Sequence, residues 1–95
     1  FRDRYENATE AERIYMAAMA DLGDEPRPSA AIAEHMGRTL SQLSVARDGL
    51  IKKGLIYNPR DTLLDFTVPH FATFLRRIHP FDPLERPRRG RSRRT

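Results

Sequence analysis

Apolar residues recur at Ala11, Ile14, Tyr15, Ala18, Met19 and Leu22, the spacing of one helical face. Thr9 stands three residues ahead of Glu12, as in a capping box, and Gly23 marks a stop. The pattern predicts a helix over 9–22 and a turn at Asp24-Glu25-Pro26. Pro26-Arg27-Pro28 is incompatible with a helix and predicts a very short extended piece. Ser29 reads as the cap of a short helix over 30–36, with Ile32, Ala33 and Met36 inward and Gly37 as its stop. Arg38-Thr39-Leu40 predicts a turn into a longer helix over 41–53. Leu43, Ala46, Leu50 and the stem of Arg47 share its inner face, with Ile51 at the edge. Ser41, Val45, Asp48 and Lys52 lie opposite, and Gly54 ends the helix.

The period then falls from helical to strand-like. Residues 55–58 predict a short strand, Asn58-Pro59-Arg60-Asp61 a turn, and residues 62–68 a second strand. Leu64, Phe66 and Val68 occupy one face of that strand; Leu63, Asp65 and Thr67 occupy the other. Pro69 reads as the first turn of a final helix over 69–78, striped by Phe71, Phe74, Leu75 and Ile78 and ended by Pro80. A short helix turning into a longer one is a helix-turn-helix, and a hairpin directly after it is a wing. The predicted fold is mainly α: a winged helix-turn-helix with a three-helix core, one two-stranded hairpin wing and an extra C-terminal helix.

Charge changes the picture. The 95 residues hold 17 Lys and Arg against 13 Asp and Glu, a net charge of +4 with a pI near 10.1. Through residue 80 there are eleven of each sign. The excess belongs to residues 81–95, where Arg86, Arg88, Arg89, Arg91, Arg93 and Arg94 face only Asp82 and Glu85. Pro83 and Pro87 interrupt that stretch and almost nothing apolar follows Leu84. The expectation is a winged-helix domain over 1–80, with 1–8 as a lead-in, and a disordered Arg-rich tail over 81–95. Such a tail is either a nonspecific electrostatic arm for phosphates or a solubilising terminus.

The length allows one small domain, and the absence of cysteine rules out a disulfide framework. His35, His70 and His79 do not share a helical face, so no metal site is expected. The five glycines are dispersed and build no phosphate loop; no cofactor and no catalytic constellation are expected. No apolar run is long enough to predict a membrane span. The chain begins at Phe1 without a basic leader, and the expectation is a piece of something longer.

Three segments carry a resemblance. They are Arg4-Tyr5 leading through Ala8-Thr9 into the run from Glu12 to Gly23; Gly54-Leu55-Ile56-Tyr57; and Phe66-Thr67-Val68-Pro69 with Phe71, Phe74, Leu75, Arg76 and Arg77. Over about residues 4–80 they resemble the C-terminal region of bacterial AAA-type ATPases of the origin-recognition-like kind. The resemblance implies a winged helix behind an ATPase domain that lies upstream of Phe1. It also implies a cytoplasmic setting, and double-stranded DNA and that ATPase domain as partners.

A winged helix usually lays its second helix-turn-helix element in the major groove. Ser41, Gln42 and Ser44 are then candidates for phosphates or base edges, helped by the positive helix end. Arg38, Lys52 and Lys53 are candidates for phosphates, and Arg60 for backbone beside the wing tip. Asp48 suits a cytosine amino group but repels phosphate. The competing reading makes Thr39 and Ser41 caps, Lys52 and Lys53 a solvated last turn, and Arg60 a turn residue. Arg47 is expected to bond a carbonyl or a carboxylate such as Asp65, and His79 to sit on the helix dipole. Phe71, Phe74 and Leu75 read as core. The rival function is a protein–protein interaction domain that packs on the ATPase and touches no DNA; a third is a stand-alone regulator of the MarR or ArsR kind.

Overall fold

The computed structural model describes residues 2–87. Among these it forms five helices, α1 (Arg2–Glu6), α2 (Glu10–Asp21), α3 (Ser29–Met36), α4 (Leu40–Lys52) and α5 (Phe71–Ile78). Three short strands, β1 (Arg27–Pro28), β2 (Ile56–Tyr57) and β3 (Leu63–Phe66), complete it. The molecule is a small, mainly helical domain with a three-stranded antiparallel sheet. No helix among the described residues is long and apolar enough to cross a membrane.

The helix boundaries follow local chemistry. Thr9 caps α2 in a full capping box: its hydroxyl accepts the Glu12 N–H and the Glu12 carboxylate accepts the Thr9 N–H. Thr39 does the same for α4 with Gln42, so α4 starts one residue before the predicted position. Ser29 is the first residue of α3 rather than its cap; Pro28 holds the cap position without a side-chain bond. α4 ends in a Schellman turn. Gly54 sits at φ 76°, its N–H donates to Ile51 O, and Leu55 N–H donates to Leu50 O. α5 begins two residues later than predicted, because Pro69 belongs to the preceding turn and His70 is left-handed at φ 68°.

The sheet departs from a two-stranded hairpin. β2 and β3 pair as predicted, with Ile56 opposite Phe66 and Tyr57 opposite Asp65. β1 joins the free side of β3, with Arg27 opposite Leu64 and Pro28 opposite Leu63, so β3 is central. Proline donates no hydrogen bond and can pair only on such an edge. Ser29 N–H extends the pairing to Thr62 O.

α2 is the axis of the core. Every residue from Ile14 to Ala20 is buried, because α5 packs on one side and α3 and α4 on the other. Phe71 and Leu75 of α5, Ile32 of α3, Leu50 of α4, and Leu55, Ile56 and Leu64 of the hairpin close around it. The carbonyls at its C-terminal end are held by arginines from elsewhere. Arg27 donates to Leu22 O at 2.7 Å, and Arg76 donates to Ala20 O at 2.6 Å and to Asp24 at 2.8 Å.

Candidate nucleic-acid interface

α4 presents the candidate face, and its inner residues explain how. Leu43, Ala46 and Leu50 are buried. That leaves Ser41, Gln42, Val45 and Asp48 exposed, with Ser44 half-buried. Val45 is 83% exposed, unusual for a branched apolar residue. The Gln42 carbonyl serves the cap and also accepts from Arg38 Nε at 3.3 Å. Arg38 is thereby held at the helix's positive end. Ser44 Oγ donates back to Ser41 O at 3.0 Å, which occupies its hydrogen.

Asp48 does not stand alone on this face. The Arg47 guanidinium donates to its Oδ1 at 3.0 and 3.1 Å. Arg47 therefore pairs with its neighbour and not with Asp65, whose own Oδ1 accepts the Phe66 N–H. The pair is partly exposed and contributes little stability, but it neutralises the carboxylate that would repel a phosphate.

The predicted phosphate-binding residues divide. Lys52 and Arg60 are exposed and form no ion pair among the described residues. Arg60 lies in the β2–β3 turn, which Asn58 holds by donating from Nδ2 to Asp61 O at 2.7 Å and to Leu63 O. Asp61, beside it, takes a left-handed φ of 51°. Lys53 turns the other way and donates to Glu12 Oε1 at 2.6 Å. Of the tail arginines, Arg86 is described and donates to Pro83 O and Glu85 O. Arg88, Arg89, Arg91, Arg93 and Arg94 lie outside the described residues.

Two features that steady the face escape a sequence reading. The first is the crossing of α2 and α4. Glu12 is the only buried charged residue among those described, at 5% exposure, and its carboxylate serves both Thr9 and Lys53. It lies against Gly49, where a Cβ would collide with it. A glycine inside a helix was the available signal, since it costs about 1 kcal/mol relative to alanine. Tyr15 is buried near the same crossing; burial pushes its phenol up to about 12, with Arg47 opposing and Asp48 adding.

The second is the segment after α5. His79 does not merely face a helix end: Nδ1 lies 2.7 Å from the Tyr5 hydroxyl and Nε2 lies 2.8 Å from Glu85. A carboxylate only accepts, so Nε2 is the donor to Glu85, while the Tyr5 hydroxyl holds Nδ1 on the other edge of the ring. Burial raises the Tyr5 pKa, in keeping with a phenol that keeps its proton. Phe81 stacks on His35 with ring centroids 4.6 Å apart, and His35 bonds Asp21 at 2.8 Å.

No group of His, Asp and Glu among the described residues has the arrangement of a metal site. No curated protein and no solved structure matches the chain. A family model matches residues 1–75, and the chain belongs to that family, described as a domain of unknown function (DUF8462).

Proposed function

We propose that this domain is a non-catalytic DNA-binding module of the winged-helix kind, with α4 in the major groove and the β2–β3 turn at the flanking backbone. The carrying observation is the outward face of α4. Ser41 and Gln42 stand exposed at its start, and Asp48 is neutralised by Arg47. Lys52 and Arg60 lie at the far end and in the following turn without ion-pair partners among the described residues. Polar groups over base edges flanked by cations over phosphates are what a major-groove helix needs. Val45 then meets a thymine methyl. In this reading the module is the C-terminal domain of a larger AAA-type ATP-binding protein and positions it on DNA, an inference from the three resembling segments.

Val45 also favours a second reading. With Leu40 at 47% and Ile51 at 40% exposure, it gives α4 more apolar surface than a purely phosphate-facing helix needs. Leu40 and Ile51 flank the polar face on one side and Val45 on the other, and α4 would then pack on a partner protein, the ATPase domain included, without DNA. Charge reversal separates the two. Lys52→Glu and Arg60→Glu are expected to weaken binding of a labelled duplex at least about tenfold each in fluorescence anisotropy at low salt. Unchanged affinity in both would exclude this docking mode.

A further inference from the structure

The hydrogen bonds within α4 decide what its outward face still has to offer. The Gln42 carbonyl oxygen is taken up by Thr39 N–H and Arg38 Nε, which leaves this side chain its amide N–H groups as donors. The Ser44 hydrogen is taken up by Ser41 O, which leaves an acceptor. Asp48 is divided in the same way. Arg47 Nη2 and Nε both donate to its Oδ1, at 3.0 and 3.1 Å, and Oδ2 has no hydrogen-bond partner among the described residues. The Asp48 side chain is 65% exposed, against 30% for Arg47. Around the helix it lies between Ser44 and Val45, on the face turned away from buried Leu43 and Leu50. The guanidinium grips one carboxylate oxygen and leaves the other open to solvent.

Resting on the DNA-binding reading, we propose that Asp48 reads a cytosine in the major groove and that Arg47 is its positioning residue. Base edges there offer two amino donors, cytosine N4 and adenine N6. Adenine carries N7 beside N6, an acceptor that repels a carboxylate; cytosine carries a C–H in the corresponding place. A free carboxylate oxygen therefore selects cytosine. An unpaired aspartate would be repelled by the phosphates that wall the groove. With Arg47 on Oδ1 the pair is close to neutral and still keeps an acceptor. Gln42, its carbonyl occupied, cannot make the two-bonded contact by which a free amide reads adenine. Val45 stands three residues from Asp48, where side chains of one helix are about 5–6 Å apart at Cβ. Successive bases of one strand are about 3.4 Å apart. The cytosine thus falls one or two steps from the thymine whose methyl group Val45 meets.

The test uses the full chain and a library of labelled duplexes with a randomised core of about one helical turn. Duplexes are selected at low salt and the enriched ones measured singly by fluorescence anisotropy. Wild type should enrich cytosine at one fixed position and bind it about tenfold more tightly than the other bases there. Asp48→Asn should move that preference to adenine, because an amide both donates and accepts. Asp48→Ala should lose the preference at that position alone. Arg47→Gln should lower affinity for every core and also shrink the cytosine ratio severalfold, whereas a merely structural role would leave the ratio unchanged. Arg47→Lys returns the charge without the paired donors and should recover affinity more than the ratio. Circular dichroism and urea unfolding confirm that each variant is folded. Cytosine still enriched at the same position by Asp48→Asn and Asp48→Ala overturns the assignment to Asp48, as does duplex binding with no enrichment at any position. A cytosine ratio in Arg47→Gln equal to that of wild type overturns the positioning role. A wild-type chain that binds no duplex at low salt overturns the DNA reading itself.

Discussion

α2 and α4 start with the same device and finish in opposite environments. Each opens on a threonine cap answered three residues later by a side-chain carbonyl or carboxylate, Glu12 in α2 and Gln42 in α4. They differ by one residue in length. Yet α2 is buried on every side from Ile14 to Ala20, while α4 buries only Leu43, Ala46 and Leu50. The difference lies in the residues after the cap. Ile14 to Ala20 contains no charged residue and no small polar one, so each neighbouring helix finds an apolar surface. In α4, serines, an aspartate and a lysine interrupt every face but one. The caps diverge accordingly. Glu12 is enclosed and recruits Lys53; Gln42 is exposed and recruits Arg38.

The largest effect should come from breaking the enclosed cap. Glu12→Ala removes the acceptor of the Thr9 N–H and strands Lys53 at the α2–α4 crossing. The expected loss is about 2–3 kcal/mol in urea unfolding. Gln42→Ala breaks the matching bond at an exposed site and should cost at most about 1 kcal/mol. Gly49→Ala supplies the control. Helix propensity alone would stabilise it by about 1 kcal/mol, whereas displacement of the Glu12 carboxylate should make it destabilising. Equal losses at Glu12 and Gln42, or a stabilised Gly49→Ala, would remove the distinction between the two caps.

Tyr15 sharpens the same contrast through pH. Its folded pKa of about 12 lies above the ordinary phenol value of 10.0, so the native state holds the proton more tightly than the unfolded chain. The associated stability is complete below pH 10 and is lost as pH rises towards 12. A rise from 10.0 to about 12 corresponds to about 2–3 kcal/mol. Tyr15→Phe should abolish that part of the alkaline decline; the difference between the two unfolding curves isolates it from the titration of lysines. A decline of the same steepness in the variant would place Tyr15 outside it.

Much of this was legible because it is local. Thr9 and Glu12, Gly37, Gly54, and the alternation of Leu64 and Phe66 act within a few residues of themselves, and α2 to α5 and the β2–β3 hairpin stand within two residues of where those signals put them, whereas the stretch read as a lead-in holds the helix α1. What the pattern did not carry is pairing across distance. Pro26-Arg27-Pro28 reads as a short extended piece, but only the position of β3 decides that it becomes a third strand. Met16, Ala17 and Ala20 fall off the expected apolar stripe of α2, and are buried because α2 has helices packed on more than one side. Lys53 reads as a solvated end; its carboxylate lies 41 residues earlier. Tyr5 and His79 are 74 residues apart and meet only because α5 closes against α2. The candidate face of α4 was legible for a simpler reason: solvent-facing residues follow from the helical period once the inner face is known.

The smallest expected effect on stability falls on that outer face, and it carries the most functional weight. Val45 is nearly free of the fold, so Val45→Glu should shift the stability by no more than about 0.5 kcal/mol. Glutamate is also the better helix former. On DNA the outcome differs, because the new carboxylate has no arginine beside it of the kind that Asp48 has in Arg47. It would sit where a base edge or thymine methyl is proposed, and duplex affinity should fall at least about tenfold. Val45→Thr keeps a methyl group and the branched shape, and should retain most of the affinity. Full duplex affinity in Val45→Glu would turn α4's exposed face away from DNA and towards the apolar partner surface of the second reading.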